Sequence, residues 1–558
     1  MTITASDHAV ISQSLIAAAR EMGVKLIRSA YSTIVRDAND ASSALLDRHG
    51  HVVAQAELNA MHLGSISTAF EPFARYYDLS ALTEDDVLIT NHPYFGGQHL
   101  PDIFMFSPIR VGGELVGFAA SVAHHIDVGG GAPGLNMAAR EFYQEGLIIP
   151  PVRFSLSRDW AGGAVERLFA ENFRVPEQTI GDLYAQLAGN NTGIARVRQL
   201  CEKYGSATVV ATMEELQNYA ERRIRSAISE IPNGTFDGED LMDSDGITDD
   251  PVRFKARVVI EDDRISVDFT GTSPQVRSNI NAPYASTLAS TMSCIKAALT
   301  APDVPFNAGT ARPIEISAPL GTILNPKHPA PVRARMVAGY RAFNAVMKAL
   351  AQAAPERVMA AGFDTTTGPY LSHSGAHGYK VYHEIIGGGY GASAELDGCS
   401  GVDGPMSNCS NAPVESLDMD FDYFRVVGYG LRPDSGGAGR QRGGLGIVRR
   451  YAILKDGIQY AQYGDRFNFK PEGLFGAAAG QEASCVLSRD GEDLNLPSKT
   501  SRILQAGDVL SVNTGGGAGY GPVRERSREL VMRDLEDGYI TPETARDVYG
   551  LEIGSLDR

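Results

Sequence analysis

Two short runs between residues 96 and 130 hold the side chains best suited to chemistry. The first run places His99 three residues before Asp102, and the second places His124 and His125 just before Asp127. Imidazole and carboxylate groups together bind zinc, manganese or ferrous iron at neutral pH, and they also act as acids and bases. Since the chain has only 12 histidines, this concentration predicts a metal site or an acid–base site.

The first run must fold as a turn rather than as part of a helix. Pro101 keeps the residue before it out of the α-helical region, so we expect His99 and Asp102 to flank a turn and to point the same way. The alternative for this run is structural, with His99 capping the turn and Asp102 accepting hydrogen bonds from backbone amides.

The second run follows a stretch of small apolar residues at 115–124, which predicts a buried strand. Alternation along a strand sends His124 and His125 to opposite faces, so only one of them can bind a metal alongside His99. The other histidine is then free to pair with Asp127, as a structural hydrogen bond or to orient a ligand.

Composition excludes several classes of function. The formal net charge of −17 and the sequence pI near 5.2 repel nucleic acid and anionic lipid, so we expect neither as a partner. The five cysteines include no CxxC pair, which argues against a disulfide framework or a zinc ribbon. The sequence shows no signal-like start and no apolar run long enough to span a membrane, so we expect a cytoplasmic protein.

Hydrophobic periodicity predicts an α+β protein of several domains, with mixed helices and glycine-rich β segments. We predict an N-terminal metal-site domain at 1–205, a helix and β-hairpin domain at 206–360, and a glycine-rich β domain with a C-terminal helix at 361–558. The predicted helices are 7–34, 208–231, 285–301, 336–353 and one near 541–549. The predicted strands are 115–124, a hairpin at 252–270, and 379–386, 446–454, 483–487 and 508–514.

The glycine-rich loops do not specify a nucleotide site. No GxxxxGK[ST] phosphate loop occurs in the sequence. The segment 387–392 follows a strand-like run and fits GxGxxA, but turn residues follow it where a dinucleotide site requires a helix. These glycines and the clusters at 436–446 and 515–521 fit tight turns or a closely packed β core as well as they fit a ligand.

Several longer motifs, taken in order, resemble the hydantoinase B/oxoprolinase family over nearly the whole chain. The residues that carry this resemblance are 40–50, 61–65, 91–103, 123–130, 144–151, 432–446 and 515–522. The resemblance implies the metal-bearing subunit of an ATP-dependent hydantoinase, oxoprolinase or lactamase. It also implies a hydantoinase A-type partner with an actin-like ATPase fold that binds ATP and magnesium, which agrees with the missing phosphate loop.

The same resemblance implies the ligands of one divalent transition metal, zinc, manganese or iron. They are His99, Asp102 and His124, with Asp40 as a further ligand. With His124 on the metal, His125 is expected to face away from it and to hydrogen-bond with Asp127 or with a backbone carbonyl. Ala41 departs from the family pattern, which commonly has an aromatic residue after this aspartate, so the local packing of Asp40 is expected to differ.

The implied reaction is ring opening of a hydantoin, 5-oxoproline or lactam whose carbonyl has been activated by ATP. We expect Asp127 or Glu145 to act as a base or to orient another group, and His125 to contribute to the same machinery. For Glu145 the alternative is a surface or loop carboxylate. Two other functions stay open: a subunit of an ATP-dependent ketone carboxylase, and a scaffold subunit whose metal is purely structural.

Overall fold

The computed structural model describes residues 4–56, 58–365, 367–376 and 378–551, and it shows a multi-domain protein of mixed α+β class. None of the helices in these ranges combines the length and the apolarity needed to cross a bilayer. The five cysteines are free thiols.

The N-terminal part of the chain is built on an antiparallel sheet in the order β2-β1-β5-β4-β3-β6. Helices α1 and α8 pack against each other and cover one face of the sheet. The helices are α1 Ala5–Ser29, α2 Thr33–Arg36, α3 Ala60–Leu63, α4 Ile66–Phe70, α5 Phe73–Tyr76, α6 Leu156–Asp159, α7 Ala164–Asn172 and α8 Pro176–Tyr204. The strands are β1 Ala41–Asp47, β2 Val52–Gln55, β3 Asp86–Thr90, β4 Asp102–Val111, β5 Glu114–His124 and β6 Val152–Ser155.

The middle part is a second sheet, in the order β10-β9-β8-β7, with α12 packed on β7 and β8. Its apolar core also includes Met61 from the N-terminal part and Tyr463 from the C-terminal part. The elements are α9 Ser206–Ser229, β7 Gly234–Met242, β8 Val252–Glu261, β9 Arg264–Asp268, α10 Tyr284–Leu299, α11 Ala308–Ala311, β10 Ile314–Ser317 and α12 Met336–Ala353.

The C-terminal part contains two sheets, in the orders β12-β11-β15-β18 and β13-β14-β19-β16-β17, which share one apolar core. The strands are β11 Gly368–Gly375, β12 Gly378–His383, β13 Phe424–Leu431, β14 Ile447–Ile453, β15 Ile458–Tyr463, β16 Ser484–Arg489, β17 Glu492–Leu496, β18 Lys499–Leu504 and β19 Val509–Asn513. The helices are α13 Val414–Asp420, α14 Arg528–Glu536 and α15 Pro542–Asp547.

Most predicted elements are present with shifted ends. The strand at 115–124 is β5, the hairpin at 252–270 is β8 and β9, and the helices at 285–301 and 336–353 are α10 and α12. The predicted domain boundaries fall between α8 and α9 and between α12 and β11. Helix α9 packs on α1 as well as on the middle part, so the division into three domains stays a prediction.

The predicted single helix at 7–34 is wrong, because the chain breaks it after Ser29 and starts α2 at Thr33. The break is made by Asp182 of α8, whose carboxylate accepts hydrogen bonds from the backbone amides of Tyr31 (2.7 Å) and Ser32 (3.1 Å). The backbone amides of Tyr31 and Ser32 therefore donate to a side chain that is distant in sequence, instead of to carbonyls within one continuous helix.

Helix α8 has no counterpart among the predicted elements. Small and polar residues replace the usual apolar stripe where it approaches α1. A β-carbon at Gly189 would lie 3.0 Å from the carbonyl oxygen of Met22, and one at Gly193 would lie 2.4 Å from the sulfur of Met22. The two helices approach closely because these positions lack side chains. Since glycines occupy the contact positions, the sequence of α8 lacks the regular apolar spacing by which an amphipathic helix is predicted.

The glycine clusters pack backbone against backbone. A β-carbon at Gly389 would lie 1.9 Å from the carbonyl oxygen of Gly444 and 2.3 Å from the amide nitrogen of Gly517. The amides of Gly388 and Gly389 donate to Val402 and Gly515, at 2.8 and 3.0 Å. These amides are therefore engaged within the fold rather than turned toward a phosphate group.

Candidate metal centre

The start of β1, the start of β4 and the end of β5 lie at one edge of the N-terminal sheet, and they bring acids and histidines together. Asp102 begins β4 and His124 ends β5, and the two residues lie directly opposite each other in the antiparallel ladder. Asp40 comes just before β1, where Ala41 pairs with Ala123 of β5. The amide of His124 donates to the carbonyl of Asp40 at 3.0 Å, so both side chains leave the sheet at one end.

His99, Asp102 and His124 form one compact group of side chains, all buried. The Nε2 atom of His99 lies 3.0 Å from Oδ1 of Asp102 and 3.2 Å from Nδ1 of His124. Nδ1 of His124 lies 3.4 Å from Asp102 Oδ1 and 3.6 Å from Asp40 Oδ2. The sequence-predicted ligands are thus gathered around a single point.

His62 of α3 joins the same group, although sequence reasoning did not single it out. Its Nε2 atom lies 3.3 Å from Asp102 Oδ1 and 3.7 Å from Asp40 Oδ1. Asn59 fixes this arrangement, because it caps α3 and donates from Nδ2 to Asp40 Oδ1 at 2.8 Å. The motif at 61–65 contains His62, but only its position next to two acids indicates a ligand.

The donor set fits a divalent transition metal. Metal bonds of about 2.0 to 2.2 Å to nitrogen and oxygen hold neighbouring donors about 3 to 3.6 Å apart, which is close to the separations in this group. Among the described residues, neither nitrogen of His62 has a hydrogen-bond partner. Buried imidazole nitrogens without partners are costly unless a ligand satisfies them.

Arg333 and Arg335 reach the site from the segment before α12. Arg335 donates to Asp102 Oδ2 at 2.5 Å, so Oδ1 is left facing the imidazoles. The carbonyl oxygen of Arg333 lies 2.7 Å from Nδ1 of His99. Nη1 of Arg335 lies 2.9 Å from the same Nδ1 atom, so the carbonyl and the guanidinium compete for it. A metal on Nε2 requires the hydrogen on Nδ1, where the carbonyl of Arg333 accepts it.

The two acids of the group differ in their charge environment. Burial alone raises the pKa of Asp102, but the guanidinium of Arg335 and the neighbouring imidazoles hold it well below its ordinary value. Burial raises the pKa of Asp40. Burial also lowers the pKa of His99 to about 3, so this imidazole is neutral near pH 7 and is able to bind a metal.

The side chain of His125 lies on the opposite side of the strand end from His124. Its Nε2 atom lies 3.0 Å from Oε1 of Gln186 on α8, and the backbone of Thr179 also hydrogen-bonds with His125, so the side-chain partner of His125 is Gln186 rather than Asp127. Gln186 also donates to the carbonyl of Ile103 at 2.8 Å. Gln186 therefore links His125 to β4 through two hydrogen bonds.

Asp127 and Glu145 lie in the loops beside the site, where backbone amides hold both. Asp127 accepts hydrogen bonds from the amides of Gly129, Gly134 and Arg174, at 3.0, 2.9 and 3.0 Å. Glu145 accepts from the amides of Val332 (3.0 Å) and Arg333 (2.8 Å). Burial raises the pKa of Glu145 to about 8. Glu145 is thus buried rather than a surface carboxylate.

Comparison with known proteins identifies relatives of this chain. A sequence model described as hydantoinase B/oxoprolinase matches residues 5–523. One subunit of a putative D-/L-hydantoinase from Pseudomonas sp. strain NS671 is 34% identical over 98% of this chain and 94% of its own length. The crystal structure of ATP-dependent caprolactamase from Pseudomonas jessenii has a TM-score of 0.90 and 29% identity, covering 100% of this chain and 98% of that chain.

The nucleotide-free structure of acetone carboxylase also has the same fold. Its TM-score is 0.87 at 18% identity, with 97% of this chain and 79% of that chain covered, and likeness at this identity concerns the fold alone. The family match over most of the chain and the relative that is 34% identical over nearly all of both sequences give the stronger statement. They show that this chain belongs to the hydantoinase B/oxoprolinase family.

Proposed function

We propose that this protein is the metal-bearing subunit of an ATP-dependent enzyme that opens cyclic amides such as hydantoins, 5-oxoproline or lactams. The observation that carries the proposal is the buried group of His99, Asp102 and His124, with Asp40 and His62 beside it. Zinc, manganese and iron are the metals that this donor set suits. When bound, such a metal supplies a Lewis acid that polarises a carbonyl group and lowers the pKa of water.

The residues of the chain prepare the site for that chemistry. Arg335 compensates the charge of Asp102 without covering the oxygen that faces the imidazoles. With Nε2 of His99 on the metal, the carbonyl of Arg333 is the acceptor for the hydrogen on Nδ1. Burial of the whole group excludes bulk water, which strengthens the electrostatic interactions inside it.

The three other residues predicted to be catalytic are proposed as positioning residues. Glu145 holds the amides of Val332 and Arg333 and so places the two arginines. Asp127 fixes the turn at Gly129 and Gly134 together with the amide of Arg174. His125 anchors the end of β5 to α8.

We propose that ATP and magnesium bind to a hydantoinase A-type partner subunit. The caprolactamase that this chain resembles is described as ATP-dependent, and the hydantoinase relative is described as one subunit of its enzyme. The amides of Gly388, Gly389, Tyr390 and Ala392 in the glycine-rich segment donate to carbonyls of other loops, so these amides do not form a phosphate cradle. The amide-opening function ranks above ketone carboxylation because the carboxylase likeness supports the fold alone.

The first test is reconstitution with the partner. The purified chain should release no ADP from ATP with any substrate, whereas the complex with the ATPase-type subunit should release ADP in the presence of 5-oxoproline, hydantoin or caprolactam. ADP release by the complex with acetone and bicarbonate, and with none of the cyclic amides, would overturn the proposal in favour of a ketone carboxylase.

The second test separates a catalytic metal from a structural one. Asp102→Asn removes one negative charge from the group, so we expect the rate per folded molecule to fall at least a hundredfold, where about 1.4 kcal/mol is tenfold in rate. Asp240→Asn is the matched control, because this buried carboxylate of β7 pairs with Arg466 and Arg341 and is not part of the metal group. Both variants should melt at lower temperature, but only Asp102→Asn should lose rate. Equal rates per folded molecule would show that the metal is structural.

A further inference from the structure

A second wall faces the metal group, and it is formed by the C-terminal part of the chain. His383, the last residue of β12, is 1% exposed. Its ring centroid lies 5.6 Å from that of His124. Within the part of the chain that the structure describes, the Nε2 atom of His383 has no hydrogen-bond partner. A buried polar atom beside a candidate metal group, with nothing to bond, indicates a position for a substrate group.

The contacts of His383 decide which kind of group fits there. Its Nδ1 atom lies 3.5 Å from the carbonyl oxygen of Pro369. A carbonyl accepts a hydrogen, so Nδ1 carries the hydrogen of the neutral ring and Nε2 presents a lone pair. The unpartnered atom is therefore an acceptor, and it suits an N–H donor.

The ring of His383 is held in one orientation. It stacks on Tyr370, its direct neighbour across β11 and β12, with centroids 3.8 Å apart and planes at 3°. Tyr370 in turn accepts a hydrogen bond from Arg333 Nη2 at 2.9 Å. Gly368 leaves room for the ring, because a β-carbon there would lie 2.7 Å from Cε1 of His383. An acceptor fixed in this way is suited to discrimination rather than to general solvation.

We propose that His383 Nε2 accepts the ring N–H of the substrate amide, while the carbonyl of the same amide faces the metal group. This inference rests on the proposed function and deepens it by assigning one residue that selects for the N–H of the amide. A site built to bond an N–H rejects the analogue that lacks it, because its buried acceptor then stays unpaired. Cyclic amides alkylated on the nitrogen of the bond that opens should therefore be poor substrates.

The test compares each N–H lactam with its N-methyl derivative in the complex with the ATPase-type subunit. The probes are 2-pyrrolidinone, caprolactam and their N-methyl forms. His383→Phe keeps a flat ring on Tyr370 but removes the acceptor, so kcat/KM for the N–H lactam should fall at least tenfold. The value for the N-methyl form should change less than twofold. His383→Gln, whose Oε1 is an acceptor, should recover part of the loss.

Two further measurements control for an indirect effect. Metal content should be equal in the wild type and in His383→Phe, and calorimetric binding of the N–H lactam without ATP should weaken in the variant. His373→Phe is the matched control, because His373 lies on β11 against Tyr423, outside the site. It should leave the ratio between N–H and N-methyl lactams unchanged.

The outcomes separate the two proposals. If the wild-type complex opens cyclic amides and His383→Phe keeps the wild-type ratio, the role of His383 is wrong and the proposed function stands. If the wild-type complex neither opens nor binds any cyclic amide, the proposed function and this inference both fall.

Discussion

At the scale of single residues, the site contains two acids, Asp102 and Asp40, whose neighbouring groups differ in charge. Asp102 has a guanidinium on one oxygen and imidazoles on the other, whereas Asp40 has the neutral amide of Asn59. A buried carboxylate with a cation beside it stays charged, and one without a cation is pushed toward its neutral form. Asp102 is therefore suited to be the anionic ligand of a metal, and Asp40 becomes one when the metal supplies positive charge.

We predict that His62→Ala lowers the metal content of the purified chain, because its Nε2 atom lies beside both acids. Loss of a contributing ligand commonly costs at least about tenfold in metal affinity. His51→Ala is the control, since this exposed histidine bonds Asp47 away from the site. Elemental analysis after dialysis against a chelator measures the metal content of both variants. Equal metal content in the two variants would exclude His62 as a ligand.

At the scale of elements, the glycine-rich loops of the C-terminal part act as close-packed backbone. Gly443 and Gly517 approach each other so closely that a β-carbon at Gly443 would lie 1.9 Å from the carbonyl oxygen of Gly517. Neighbouring loops exchange backbone hydrogen bonds here, as from Tyr390 to Cys399 at 2.9 Å. The glycines therefore have a packing role that their sequence pattern shares with nucleotide loops.

We predict that Gly389→Ala destabilises the protein by about 3 kcal/mol or more, because the added methyl group meets two backbone segments that cannot move aside. Gly430→Ala is the control, since a β-carbon at this exposed position of β13 meets nothing within 4 Å. Thermal unfolding of both variants measures the difference. A melting temperature for Gly389→Ala equal to that of Gly430→Ala would contradict the close packing.

At the scale of the whole molecule, a buried ionic network joins the middle and C-terminal parts. Asp240 of β7 pairs with Arg466, which follows β15, at 2.9 Å, and with Arg341 of α12 at 3.2 Å. Arg341 also lies 3.7 Å from Asp465. These groups are at most 4% exposed, so each charge depends on its partners.

We predict that Asp240→Asn destabilises the protein by about 3 to 5 kcal/mol, because it leaves two buried guanidinium groups without their shared partner. Asp237→Asn, on the same strand but in an exposed pair with Arg257, should change the melting temperature little. Denaturant unfolding of both variants checks the prediction. Equal midpoints would contradict it.

The same network has a defined pH dependence. Burial alone raises the pKa of Asp240, but Arg466, Arg341 and Lys348 hold it below its ordinary value of 3.8. A carboxyl group whose folded pKa is depressed contributes stability above its unfolded pKa and loses that contribution as the pH falls through the folded value. The stability difference between the wild type and Asp240→Asn should therefore be constant above about pH 5 and should shrink only in stronger acid.

Local sequence was sufficient to predict the elements that rest on local rules. The strand β5, the hairpin of β8 and β9, and helices α10 and α12 follow from periodicity and turn residues. The residue types and spacing of the two short runs were enough to predict a metal or acid–base site, because the donors lie close together in the sequence. The family resemblance, rather than the spacing, singled out His124 from His125.

Tertiary structure decided what distant segments bring to the same point. His62, Arg335 and His383 come from three other segments of the chain, and no local period marks any of them as part of one site. The break after α1 depends on Asp182 of α8, and the packing of α8 depends on glycines that leave no apolar stripe. Such contacts follow from the close packing of whole elements, which periodicity in one window of sequence does not encode.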